Sequence, residues 1–304
     1  MQLLSSILYD TVYHSAPIIL CVIGGVFAYK ANVLNIALEG MMLIGAFVST
    51  LITYLTANIV LGVLMGAVAA AAFGVVFSVM GVTLKGNVII VGLAVNLLAS
   101  AIASFALVCM KSSNITLSNL DISGLQINIP VLGSIPLLGS IVSGHPIITY
   151  VAFFGIWLMA VLMYKTRFGA YVRVVGENED AARSLGLKVD KYKYAAIIIG
   201  AVCCGLAGAN LSTERLGLFT NDMTAGRGFI AIAAIYCGRG DPVRSSLYAI
   251  LFGFARSLAI NLAMFAGPVS GLFDVIPYVI MVAVLTVVSI AQRRSVHERG
   301  FANG

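Results

Sequence analysis

Charge is what this sequence most lacks. Of 304 residues only 10% are Asp, Glu, Lys or Arg, against about 25% in an ordinary globular domain. Hydrophobic residues make up 60%, and a soluble protein so apolar would expose oily patches and associate. The shortage therefore excludes a soluble all-α core. Cysteine is scarce as well. Cys21, Cys109, Cys203, Cys204 and Cys237 all fall in apolar runs, no C-x-x-C pair exists, and the three histidines are scattered. Neither a zinc site nor a disulfide framework is indicated, and no metal or cofactor is expected on the chain. There is no G-K-[ST], hence no P-loop to bind and split ATP. Paired carboxylates, a nucleophile elbow and H-E-x-x-H are missing too, which argues against a membrane enzyme. The first ten residues lack a basic n-region and a small-residue cleavage site, so a cleaved signal peptide is not expected.

What is present is a series of long apolar runs, at 11–29, 34–54, 58–83, 87–110, 147–164, 194–212, 226–238, 244–263 and 271–291. Runs of about 20 such residues mark bilayer-spanning helices. The expected fold is all-α, a polytopic membrane bundle of about nine helices (8–10) forming one transmembrane domain over 1–304. The seventh run is too short to span unless it extends through its neighbours. Net charge is +6. The basic residues sit in short connectors without interleaved aromatics, which reads as a topology signal rather than as nucleic-acid binding. With the C-terminus inside, Lys30, Lys85, the seven Lys and Arg of 165–193, Arg239, Arg244, Arg293, Arg294 and Arg299 all fall inside, 14 of 18 cations. Lys111, Arg215 and Arg227 then lie at or near the outer side, and Arg256 within a span.

Two connectors stand out. The outer one, 111–146, begins polar and becomes I-P-V-L-G-S-I-P-L-L-G-S, where Pro130 and Pro136 disfavour a continuous helix. The inner one, 165–193, holds seven Lys and Arg and four Asp and Glu between two apolar runs. Within it Gly176, Glu177, Asn178, Glu179, Asp180, Ala181, Ala182, Arg183, Ser184, Leu185 and Gly186 read as a two-turn helix. Asn178 is its N-cap, Glu179 and Asp180 favour its dipole, and Gly186 ends it in the left-handed conformation. Asp190 is placed to cap the helix that follows. A short helix with its own stop signals suits docking in the groove of a soluble partner; the plain alternative is an amphipathic surface loop.

Inside the apolar runs, ionisable groups need a partner or a wet cavity. The candidates are Glu39, Arg227, Arg256 and Asp274, joined by the neutral polar Asn35, Asn96 and Asn261. Asn35 and Glu39 are four apart, on one helical face. They could line a solute path, glue helices together, or reach water at a helix mouth. Small residues four apart (Gly62, Gly66, Ala70, Gly74; Gly200, Cys204, Gly208) suit close helix packing. L-E-G-M-M-L-I-G-A (38–46) and G-R-G-F-I-A-I-A-A (226–234) share a charge followed by Gly at a helix mouth. They enter from opposite sides, as an inverted repeat would.

V-L-N-I-A-L-E-G-M-M-L-I-G-A (33–46), Y-K-T-R-F-G-A-Y-V-R-V-V-G-E-N-E-D-A-A-R-S-L-G-L-K-V (164–189) and M-T-A-G-R-G-F-I-A-I-A-A (223–234) resemble permeases of ABC importers. The group is the one that includes branched-chain amino acid, ribose-type sugar and nucleoside permeases. T-A-G-R-G-F-I-A and V-G-E-N-E-D-A-A look most like its nucleoside, or simple-sugar-type, members. The resemblance implies a bacterial plasma-membrane protein that moves nucleosides without modifying them, ribose-like sugars or branched-chain amino acids being the alternative cargo. It implies a cytoplasmic ATPase that carries the Mg-ATP and receives the helix at Gly176–Gly186. It also implies a second, different permease subunit and an outer substrate-binding lipoprotein. Asn35, Glu39, Asn96 and Arg227 are the path candidates. Tyr236-Cys237-Gly238-Arg239-Gly240 departs from the more apolar turn expected there. A rival of another class, an ATP-independent secondary carrier, would need Glu39 as its ion site.

Overall fold

The computed structural model describes residues 2–118, 126, 127, 141, 143–264 and 267–302. The proline-bearing stretch of the outer connector, with Pro130 and Pro136, lies outside them. The chain is a helical bundle with these elements: α1 (Gln2–Lys30), α2 (Leu38–Thr56), α3 (Ile59–Ser78, prolonged by a π turn Val79–Thr83), α4 (Val88–Cys109), β1 (Asn114–Thr116), β2 (Gln126–Ile127), β3 (His145–Pro146), α5 (Ile147–Lys165), α6 (Arg167–Glu177), α7 (Glu179–Ser184), α8 (Val189–Ala209, prolonged by a π stretch Asn210–Leu216), β4 (Leu218–Thr220), α9 (Arg227–Cys237), α10 (Pro242–Ala263), a 3-10 segment Gly267–Val275 and α11 (Ile276–Ala302). Among the described residues eight helices are long and apolar enough to cross a membrane, and α9 is a shorter apolar helix. The expected multi-pass bundle is thus present. Two short ladders, β1 with β4 and β2 with β3, are additions that a hydropathy reading does not reveal.

Most helix starts are written locally. The Asn58 side chain accepts from Leu61 N–H at 3.1 Å, Asn87 from Ile89 at 3.0 Å, Thr166 from Gly169 at 3.2 Å, and Asp241 from Arg244 at 2.8 Å. Each satisfies a donor that the first helical turn leaves orphaned. α2, α5, α8 and α9 differ, because none has a side-chain cap at its own N-cap residue, Ala37, Pro146, Lys188 or Gly226.

The centre is α1, held between α8, α10 and α5, with Ile18, Ile19, Leu20 and Phe27 buried. α2 packs between α3 and α8. α3, α4, α5 and α11 turn large apolar side chains outward, among them Leu64, Leu97, Phe105, Trp157 and Val287. Such a surface is stable in acyl chains and not in water. The small-residue stripes lie where α2, α3, α8 and α1 cross. A Cβ on Gly66 would come 2.6 Å from the Gly45 carbonyl, one on Gly74 2.7 Å from Ala201 Cβ, and one on Gly200 3.3 Å from the Gly24 carbonyl. In lipid such close approach supplies by dispersion what the hydrophobic effect supplies in water.

One tight crossing is Gly45 against Gly205, where a Cβ on Gly45 would sit 2.5 Å from Gly205 Cα. Gly45→Val is expected to cost about 1–3 kcal/mol through overpacking. Gly271→Ala meets nothing within 4 Å and should be neutral. Thermal unfolding midpoints of the two variants in detergent check this.

Candidate solute path and coupling surface

α9 has 11 residues, about 16 Å of helix at 1.5 Å per residue, which is half of a hydrocarbon core about 30 Å thick. Just beyond its C-terminal end, Lys30 Nζ at the end of α1 donates to the Arg239 carbonyl at 3.0 Å. The start of α9 therefore lies about 16 Å of helix from that junction, about half a hydrocarbon core away. α2 also starts at depth, after the irregular residues 31–37. Its Gly40 N–H donates to Asn96 Oδ1 at 2.7 Å, and Asn96 Nδ2 donates to the Ile36 carbonyl at 3.0 Å. Asn96 lies about 12 Å along α4 from its first residue.

The two deep helix starts meet at Glu39. Its Oε1 accepts from Gly226 N–H at 2.9 Å and its Oε2 from Gly228 N–H at 2.5 Å. Glu39 also lies in the first turn of α2. One carboxylate thus faces the positive ends of two helices, where negative charge is stabilised. Asn35 Oδ1 accepts from Ala37 N–H at 3.1 Å and shapes the approach to α2. Close approach explains the glycines. A Cβ on Gly40 would stand 2.7 Å from Asn96 Cα, and one on Gly228 2.5 Å from Glu39 N. Of the four path candidates, Asn35, Glu39 and Asn96 converge on this node. Arg227 flanks it, its Nη1 donating to the Met223 and Thr224 carbonyls at 2.9 and 3.0 Å.

Sequence reasoning missed the segment that leads into the node. β4 pairs with β1, and the chain then turns down through Asn221–Gly226, with positive φ at Asp222, Ala225 and Gly226. Ser100 Oγ donates to Asp222 Oδ1 at 3.3 Å, and Ser104 Oγ to Asn221 Oδ1 at 3.2 Å. Asn96, Ser100 and Ser104 are four apart and share one face of α4, while Leu93, Leu97 and Phe105 are exposed. That polar spacing in an otherwise apolar run was the available signal.

Other charges in or beside the spans lie apart from the node. Arg256 pairs with Asp274 at 3.0 Å. Asn261 Nδ2 donates to Asp10 at 2.8 Å. The Arg215 guanidinium lies 3.1 Å above the centre of the Tyr13 ring. The buried Glu214 accepts from Asn210 and from Ile148 N–H.

The polar connector is two helices rather than one. Gly176 and Glu177 close α6, and the short helix is α7 alone, six residues from Glu179 to Ser184. Asn178 caps it as expected, accepting from Ala181 N–H at 3.0 Å, and Gly186 has φ +80°. Asp190 does not cap α8. It lies in the first turn, two residues past the N-cap Lys188, and pairs with Arg183 at 3.5 Å. Glu179 pairs with Lys193, and Val175, Ala182 and Val189 form a small apolar core beneath. Gly176 lies against the Lys30 carbonyl. Beside it a cavity of about 500 Å³ is lined by Tyr29, Lys30, Asn32, Arg173, Gly176 and Tyr236, among others. Nearby Asp241 is pulled upward by partial burial, yet the Arg244 and Val243 N–H groups, the Tyr164 hydroxyl and the Arg244 charge hold its carboxyl below the usual range.

Residues 7–285 match the family described as branched-chain amino acid transport system / permease component. The chain is 33% identical to the nucleoside ABC transporter permease protein NupC of Lactococcus lactis, over 93% of this chain and 92% of that protein. It is 34% identical to the guanosine ABC transporter permease protein NupQ of Bacillus subtilis, over 92% of this chain and 88% of that one. Similarity extends to the glucose ABC transporter permease protein TsgB13 of Haloferax volcanii, at 25% over 92% of this chain and 76% of that protein. No solved structure matches the chain.

Removing the node's carboxylate leaves two part-buried N–H groups unpaired. Glu39→Ala should destabilise the protein by about 2–4 kcal/mol, given about 1.5–3 for a hydrogen bond to a charged group. Glu39→Gln keeps one acceptor and should recover part of that loss. Unfolding midpoints of the detergent-purified variants provide the measurement.

Proposed function

The chain belongs to the permease-component family of branched-chain amino acid transport systems, and from that premise we propose that it is the membrane-spanning subunit of an ABC importer for nucleosides. The observation that carries the cargo is the pair of full-length nucleoside and guanosine permease relatives. The path chemistry agrees. Asn35, Glu39, Asn96 and Arg227 bound it at mid-depth, and their polar groups are largely engaged with backbone. Such a lining suits a neutral polar solute better than a zwitterion, which would favour fixed free charges. The glucose permease relative keeps a ribose-like sugar as the second reading.

In this proposal a binding lipoprotein delivers the nucleoside on the outer side. This chain and a second, different permease enclose the path, and Mg-ATP is held on cytoplasmic ATPase subunits. The basic end of the bundle, C-terminus included, faces the cytoplasm, as the positive-inside rule requires. α7, with Gly176, Glu177 and Gly186 at its flanks, docks in the ATPase. Its caps and ion pairs make it a rigid unit of six residues. ATP and solute shift the same two-state equilibrium only if each binds the two states unequally.

The decisive experiment reconstitutes the complex and measures ATPase stimulation by binding protein loaded with nucleoside, ribose or leucine. Nucleoside is expected to stimulate, and stimulation by ribose or leucine alone would reassign the cargo. Gly186→Val places a β-branched residue at φ +80°, a genuine outlier conformation. It is expected to lower that stimulation at least several-fold while leaving the ATPase's basal rate unchanged. Undiminished coupling in this variant would remove α7 from its role, as would uptake that persists without ATPase and follows the proton gradient.

A further inference from the structure

The turn before α9 exposes groups that lipid cannot solvate. Asn221 and Asp222 are both exposed. Asp222 is tied to Ser100, which lies about 18 Å along α4 from Val88, within a candidate span. Irregular backbone at such depth is tolerated only where it is buried in protein or lines a water-filled cavity. An exposed carboxylate there is costlier still. Resting on the reading of the chain as a nucleoside permease, we infer that the Asn221–Asp222 turn lines the path and reads the ribose hydroxyls of the solute.

The chemistry follows from what the carboxylate has left to offer. It has about four lone-pair positions, of which the Ser100 hydroxyl uses one, on Oδ1. The remaining positions suit two adjacent O–H donors, the arrangement that a ribose 2′,3′-diol presents. Acidic side chains accept from ribose hydroxyls in the same way in dinucleotide-binding folds. Asn221 Oδ1 takes the Ser104 hydroxyl, which leaves its amide N–H groups to donate to a ring or hydroxyl oxygen. The turn is held rigid from behind, because Arg227 donates to the carbonyls of Met223 and Thr224 and Tyr278 to that of Ala225. A fixed acceptor discriminates sharply once the bound solute shuts out water, since a solute lacking the hydroxyl then leaves the carboxylate unpaired.

The test uses the complete complex in proteoliposomes, with one binding protein saturated in turn by a riboside and by its 2′,3′-dideoxy analogue. The wild-type complex is expected to import the riboside at the higher maximal rate. Asp222→Asn should cut riboside uptake about tenfold or more, the scale of one hydrogen bond to a charged group, and leave dideoxy uptake little changed. The preference then collapses. Ser100→Ala keeps the carboxylate and should keep the preference, which separates solute contact from a purely structural role. Equal losses for both solutes in Asp222→Asn, or an identical effect of Ser100→Ala, would overturn the inference while wild-type uptake still upheld the cargo. A wild-type complex that imports neither solute would overturn the cargo reading, and this inference with it.

Discussion

A helix that begins inside a bilayer leaves N–H groups where no water can reach them, and the rest of this structure depends on how that problem is solved. α2 and α9 both begin at depth, and neither carries a capping side chain at its own N-cap residue. The missing acceptors come from elsewhere. Asn96 serves α2 from α4, and Glu39 serves α9 from α2. The caps are therefore tertiary contacts, and they fix three elements relative to one another. An unpaired amide in hydrocarbon costs several kcal/mol, so the node is a strong constraint on where these helices can sit.

The packing around the node follows from the same constraint. Gly40 and Gly228 are small because the capping groups must come within hydrogen-bond reach of the backbone. The crossing of α2, α3 and α8 is small-on-small for a different reason, since lipid offers no hydrophobic drive to press helices together. Close backbone contact is then the main source of cohesion. The outer face of α4 is apolar and its inner face carries Asn96, Ser100 and Ser104. This helix is thus the boundary between what acyl chains can solvate and what they cannot.

Much of this was legible in the sequence, and the rest was hidden for identifiable reasons. Span number and the shortness of 226–238 follow from hydropathy, because a bilayer imposes length on apolar runs. Asn178 and Gly186 were readable as helix punctuation because capping is local. The convergence of Asn35, Glu39 and Asn96 was not readable, although each was a candidate, because their partners are up to 189 residues away in sequence. Asn221 and Asp222 were overlooked because they look like an ordinary polar loop, and only the fold places that loop at depth. Asp190 was misplaced by two residues, since a cap and a first-turn acid have the same composition. The break between α6 and α7 was missed because Asn178 ends one helix as it begins the next.

The position of α7 relative to the node is what makes remote coupling physically sensible. α6 leads into α7 and rests Gly176 on the Lys30 carbonyl. Lys30 ends α1 and donates to the Arg239 carbonyl just beyond α9. From this one junction two short routes run back to mid-depth, through residues 31–37 to Asn35 and Glu39, and along α9 to Gly228. Both routes end on the same carboxylate. A displacement of α7 that reaches Lys30 must therefore move the two routes together or break the contacts at Glu39. Packed interfaces have discrete arrangements rather than a continuum, so under the proposed coupling a push that reaches the node has discrete outcomes. Because Glu39 belongs to α2 and caps α9, α2 cannot move away alone without stranding the Gly226 and Gly228 N–H groups.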